Sequence, residues 1–202
     1  MNSRYQEIIA SCLSGVRTAA KKYAEWSGGV SLRSAPESIT HIFIAKNLAK
    51  TLPKKRKGSK LITLEEKPSD LIRASGRSTE TRKNKNGRDR IEGRVDITVW
   101  SEKEQPWLII EVKRHSGHRS INDDVERIRT LFKDCPSIKA GFIVVVTQAT
   151  NEDTLPTRFD KMAKESNTKK GGIRFLNGKT KKGTPMHACA MCFVVYRGKN
   201  TS

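Results

Sequence analysis

A chain of 202 residues is long enough to bury one sizeable core, and its 40 Lys+Arg against 21 Asp+Glu leave a formal net charge of +19. That excess points to a polyanionic partner, either nucleic acid or an anionic membrane surface. No apolar run approaches the roughly 20 residues of a membrane span and no signal-peptide apolar region opens the chain, so the expectation is a cytoplasmic nucleic-acid-binding protein with no membrane partner.

Residues 3–24 place Tyr5, Ile8, Ile9, Cys12, Leu13, Val16, Ala20 and Tyr23 at helical spacing, and Gly28-Gly29 soon ends the pattern. Ser34-Ala-Pro-Glu37 has the form of a capping box, with Pro36 early in a second helix. Ile42, Ala45, Leu48, Ala49 and Leu52 give that helix its apolar face before Pro53 closes it. A basic run, Lys54, Lys55, Arg56 and Lys57, precedes a short strand expected at Leu61–Leu64. The polar stretch Ser75–Arg90 then carries six Lys/Arg against two acids and reads as a basic mobile loop.

Two apolar runs follow, Gly93–Trp100 and Trp107–Lys113, joined by six turn-like residues, Ser101–Pro106, which is the pattern of a hairpin. Ser120 can cap a third helix bearing Ile121, Val125, Ile128 and Phe132 on one side. Ala140–Thr147 reads as a strand covered on both faces. A helix near Thr157–Lys164, a Lys- and Gly-rich loop at Asn167–Gly172 and a final strand over Ala188–Tyr196 complete the order. It describes one α/β domain, a mixed sheet flanked by helices.

The four cysteines, Cys12, Cys135, Cys189 and Cys192, are too scattered for a disulfide framework. Cys189-x-x-Cys192 lies in the last strand, where positions three apart face opposite sides, so core thiols are expected there and not half a zinc site. His115-x-x-His118 sits beside a glycine in a loop, a setting better suited to polar or phosphate contacts than to a metal cage.

The hairpin carries Asp96, Glu111 and Lys113 among its apolar residues, and buried charge is costly unless paired or metal-bound. If Trp100 pairs with Trp107, the same register sets Asp96 opposite Glu111, where Cβ atoms stand about 4.5–5.5 Å apart. Lys113, two residues beyond Glu111, projects from the same face. Adjacent carboxylates repel, and a divalent cation removes that penalty by using both as oxygen ligands. The competing reading is a Glu111–Lys113 ion pair at a solvated strand end with Asp96 facing the loop.

With Asp96 on one strand, Glu111-Val112-Lys113 on the next and this element order, the segment resembles the PD-(D/E)xK nuclease superfamily over about residues 34–147. The resemblance implies a restriction-endonuclease-like αβββαβ core, with residues 1–30 as an extra N-terminal helix and an extra C-terminal strand. Val95 replaces the motif's proline. Asp96, Glu111 and the Val112 carbonyl would hold Mg²⁺, with Mn²⁺ as a substitute, and Lys113 would act on the attacking water or the phosphate charge. Glu37 matches the acidic residue that the family often adds from its first core helix; its alternative role is the capping partner of Ser34. The implied function is a metal-dependent DNA endonuclease of restriction, anti-phage defence or DNA repair.

Lys54, Lys55, Arg56, Lys57, Arg82, Lys83 and Lys85 are candidate contacts to the DNA backbone, as are Arg114, His115, His118 and Arg119 just after the motif. Pro53–Lys57 also has the form of a nuclear-import signal, for which phosphate contact is the simpler explanation. Cutting both strands of a duplex favours a homodimer. Two other functions fit the sequence: a non-catalytic basic nucleic-acid-binding module on the same fold, and an RNA-directed nuclease, against which the few aromatics weigh.

Overall fold

The structure is a computed structural model that describes residues 2–52, 61–77, 93–114, 118–149, 154–179 and 185–197. Its elements are α1 (Ser3–Trp26), a 3-10 turn (Leu32–Ser34), α2 (Glu37–Thr51), β1 (Ile62–Glu66), α3 (Pro68–Ala74), β2 (Val95–Trp100), β3 (Pro106–Arg114), α4 (His118–Asp134), β4 (Ala140–Ala149), α5 (Thr154–Glu165), β5 (Lys169–Lys179) and β6 (Pro185–Tyr196). Among the described residues the strands form one six-stranded sheet in the order β1-β2-β3-β4-β6-β5. β3 and β4 run parallel, joined by α4, while every other pairing is antiparallel. The architecture is α/β, a mixed sheet flanked by helices.

The sheet separates two cores. On one face α1 and α2 bury Ile8, Cys12, Val16, Ile44 and Leu48 against Ile97, Ile110, Phe142 and Val144. On the other, α3, α4 and α5 bury Leu71, Val125, Ile128 and Phe159 against Ile109, Ile143, Val145 and Phe193. β4 feeds both, which accounts for its unbroken apolar run. Each face has a close helix approach that only glycine permits. A Cβ on Gly15 would meet the Cα of Ile44 at 2.5 Å, and one on Gly141 would meet Ile128 Cγ2 at 2.5 Å. Gly15 thereby seats α2 on α1, and Gly141 seats α4 on the sheet.

Several expectations need adjustment. The first strand runs Ile62–Glu66, and a helix, α3, follows it where no element was expected. The stretch Asn167–Gly172 is not all loop, because β5 starts at Lys169; Lys169, Lys170 and Gly172 pair along β6, with an irregularity at Gly171. Ser34 belongs to the 3-10 turn and α2 begins after Pro36 with no side-chain cap, so the capping box does not form. Cys189 and Cys192 do bury into opposite cores, and burial pushes the Cys189 thiol up to about 12 and Cys192 well above its ordinary value. No helix among the described residues is long and apolar enough to cross a membrane.

Candidate metal centre

Glu65 is the last but one residue of β1, Asp96 the second of β2, and Glu111 nears the end of β3, so the antiparallel registers Leu64↔Ile97 and Ile97↔Ile110 bring all three to one end of the sheet. The hairpin keeps the expected register at Ile97↔Ile110, Thr98↔Ile109 and Val99↔Leu108. It slips only at the turn, where Trp100 pairs with Pro106 and not with Trp107.

The ladder between β2 and β3 stops at Ile97↔Ile110, one step before Asp96 would face Glu111. At that point β2 turns over: Ile97 buries on the α2 side but Val95, two residues earlier, buries on the α4 side. Regular pleating would put both on one face. Asp96 is the residue at the turnover, and its Oδ2 accepts the Val112 N–H at 2.7 Å. A side chain thus fills the place of the next ladder acceptor. In an extended strand the N–H and C=O of one residue point the same way, so the Val112 carbonyl also faces the opening between the strands.

The turnover sends the two carboxylates to different neighbours. Asp96 meets His41 of α2, whose Nε2 is 3.8 Å from Asp96 Oδ2, while His41 Nδ1 stands 3.1 Å from Glu65 Oε1. One ligand atom each from His41, Glu65 and Asp96 lie within 4.8 Å of one another. Glu65 reaches the site from a left-handed backbone, φ 58°, a conformation that costs a residue with a Cβ on the order of 1–3 kcal/mol. The Arg94 side chain, through Nη1, donates to the Glu65 carbonyl at 2.8 Å and helps to hold that bend.

Glu111 faces α4. It is 0 % exposed, and Arg127 Nη2 stands 2.5 Å from its Oε2. The contact is electrostatic, because neither Glu111 oxygen has the geometry of a hydrogen bond. The same Arg127 nitrogen donates to Asp124 Oδ1 at 3.2 Å, and Lys113 Nζ lies 3.4 Å from that oxygen. Glu111, Arg127, Asp124 and Lys113 therefore form a quartet of alternating charge. Burial is the main force raising the Glu111 carboxyl well above its usual range; Arg127 opposes it, and the charges of Asp96 and Asp124 add to it. Burial also raises Asp124, against the pull of Lys113 and Arg127.

Whether these residues suit a cation can be judged from unfilled lone pairs. Among the described residues, Glu111 Oε1 and Oε2, Asp124 Oδ2 and His41 Nε2 are buried without a hydrogen-bond partner. Buried polar groups without partners are uncommon and costly. The carboxylate oxygens are acceptors, and His41 Nε2 is one when Nδ1 donates to Glu65; a divalent cation is a natural partner for such atoms, so the donor set fits one.

The other expected residues are placed as follows. Glu37 reaches Arg114, with Oε1 3.8 Å from Nε, and its described contacts do not include Asp96. Arg114 also donates to the Ala35 carbonyl, so both tie the start of α2 to the end of β3. His118 and Arg119 form the first turn of α4. Lys54, Lys55, Arg56, Lys57, Arg82, Lys83, Lys85 and His115 lie outside the described residues.

Sequence reasoning missed His41, Glu65, Asp124 and Arg127. His41 was within reach, lying one turn beyond Glu37 on a shared helical side. Asp124 was too: it falls at i+3 from Ile121 and i−4 from Ile128, so it carries charge inside an apolar stripe. Nothing marked Glu65, whose direction depends on a local left-handed bend. No protein-family model matches this chain, and comparison with curated proteins and with solved structures likewise finds no match.

Proposed function

We propose that this chain is a metal-dependent DNA endonuclease with a restriction-endonuclease-like core, using Mg²⁺ held at the end of the β1–β2–β3 ladder. The observation that carries this reading is the gathering of Glu65, Asp96, Glu111 and Asp124 at one sheet end, where buried oxygens of Glu111 and Asp124 lack a hydrogen-bond partner, in a chain whose net charge is +19. Four carboxylates brought together in a strongly basic protein, two of them buried, suit a cation, and the positive charge of the chain suits a phosphodiester substrate.

Asp96, Glu111 and the Val112 carbonyl would hold the cation, with His41 and Glu65 as further donors beside Asp96. A divalent cation bound there would supply Lewis-acid polarisation of a phosphate and a water of lowered pKa. Lys113, 31 % exposed, has an ammonium able to reach charge developing on the phosphate, and Asp124 holds it on the Glu111 side. The basic runs Lys54–Lys57 and Ser75–Arg90 would contribute sequence-independent affinity for the backbone. A homodimer would supply two such centres for the two strands.

A second reading, a non-catalytic nucleic-acid-binding module, draws support from the quartet, which neutralises Glu111 and Lys113 without any metal. Incubating the chain with plasmid, linear duplex, single strands and RNA, each with Mg²⁺ or EDTA, separates the readings. Duplex cleavage that EDTA stops is expected. Binding without cleavage of any substrate would favour the module, and cleavage of RNA alone would make it an RNA-directed nuclease.

A further inference from the structure

Arg127 occupies an unusual place. A single nitrogen, Nη2, stands 2.5 Å from one carboxylate and 3.2 Å from another, bridging them as a bound ion would. Its side chain is 19 % exposed while Glu111 is fully buried, so the buried carboxylate is linked to a side chain that reaches solvent. Its Nη1 donates to the carbonyl of Arg94 at 3.3 Å, two residues before Asp96.

We infer that Arg127 is the resident counter-cation of Glu111, released to an incoming divalent cation while Asp124 keeps hold of it. The inference rests on the metal-binding role proposed for Glu111 above. An isolated buried carboxylate is strongly unfavourable, so a protein whose centre is to be empty part of the time needs a substitute charge. Arg127 supplies it from the next element, and α4 places Asp124 one turn away, at i−3, as a second partner. Because the same nitrogen already touches both carboxylates, giving up Glu111 requires a short swing and leaves no cation unpaired. Asp124 is then a positioning residue: it steadies Lys113 and receives Arg127, and it needs no contact with the cation. The arrangement also accounts for both Glu111 oxygens lacking a hydrogen bond: the guanidinium offsets the charge without hydrogen-bond geometry to either oxygen.

The test uses the full chain labelled with ¹⁵N, titrated with Mg²⁺ while binding is followed by calorimetry. The Arg127 guanidinium signals, assigned with Arg127→Lys, should leave their ion-paired positions in step with Mg²⁺ saturation. Asp124→Asn should weaken Mg²⁺ binding by roughly fivefold or more, the low end of ordinary coupling between two sites, and Asp124→Glu should restore it. Heat of binding with unmoved Arg127 signals would overturn the exchange while leaving the metal centre standing. Unchanged affinity in Asp124→Asn would remove Asp124 as the receiving partner. No Mg²⁺ binding by the wild-type chain would instead overturn the metal centre itself, and the exchange with it.

Discussion

The two sides of the β2–β3 hairpin solve the same electrostatic problem differently. On the α2 side, Asp96 and Glu65 gather around His41, and among the described residues neither carboxylate is paired with a lysine or arginine. On the α4 side, Glu111 and Asp124 are matched one for one by Arg127 and Lys113. The difference follows burial. Asp96 and Glu65 keep some contact with water, which screens their charge, whereas Glu111 has none. Complete burial demands an internal partner, and partial exposure does not.

The largest test of this contrast is Asp96→Ala. With the cation centre built on Asp96, Mg²⁺-dependent cleavage should fall at least about a hundredfold, the low end of losing one electrostatic stabiliser at a reacting centre. The fold should persist, as judged by circular dichroism. Glu111→Ala should also lose cleavage, with a metal-free melting temperature level with or above wild type if burial of the charged form outweighs its pairing. Full cleavage by either variant would remove the metal-site assignment.

Metal-free stability should separate the two sides through pH. Because burial raises Glu111 above its ordinary value of 4.5, the folded state retains a proton that the unfolded chain releases. Its stabilising contribution is complete below the unfolded value and is lost as pH rises through the folded value. Stability in EDTA should therefore decline upward from about pH 4.5, and Glu111→Gln should flatten that decline. Saturating Mg²⁺ should flatten it as well in wild type. Denaturant midpoints over a pH series decide the matter; parallel curves for wild type and Glu111→Gln would mean that Glu111 is charged in both states.

The seating glycines allow each side to be moved alone. Gly15→Ala would force α2 away from α1 and shift His41, three residues before Ile44. Gly141→Ala would push Ile128 and its neighbour Arg127. Each should cost about 1–3 kcal/mol as an overpacking change. The sharper comparison is functional: Gly15→Ala should disturb the Asp96 side and leave the Arg127 guanidinium spectrum unchanged, while Gly141→Ala should do the reverse. Equal effects on both spectra would show that the sheet transmits the strain and the sides are not independent.

The smallest effect concerns the basic stretch Ser75–Arg90. Neutralising Arg82, Lys83 and Lys85 together should reduce the salt dependence of DNA binding by roughly two to three units of slope, at about 0.9 per phosphate contact. The reduction should be the same on two unrelated duplexes, since backbone contacts carry no sequence information. An unchanged slope would place this stretch away from the DNA.

The sequence by itself determined the periodic parts of this protein. Helical spacing in residues 3–24, the apolar hairpin and the doubly covered strand at Ala140 repeat a local signal several times over, and hydrophobic burial enforces each repeat. The inner register of the hairpin followed because a one-residue slip would have exchanged Ile97 and Ile110 for Thr98 and Ile109 on the α2 face. Charge in an apolar strand also marked Asp96, Glu111 and Lys113 as the residues to explain. Only the tertiary structure decided their company. A turnover of β2 at Asp96 and a left-handed bend at Glu65 redirect side chains within one residue, too short a span to leave a pattern. The partners from α2 and α4 come from helices that reach the hairpin by packing on opposite faces of the sheet. Which charge meets which is set there, by the depth at which Gly15 and Gly141 allow those helices to seat.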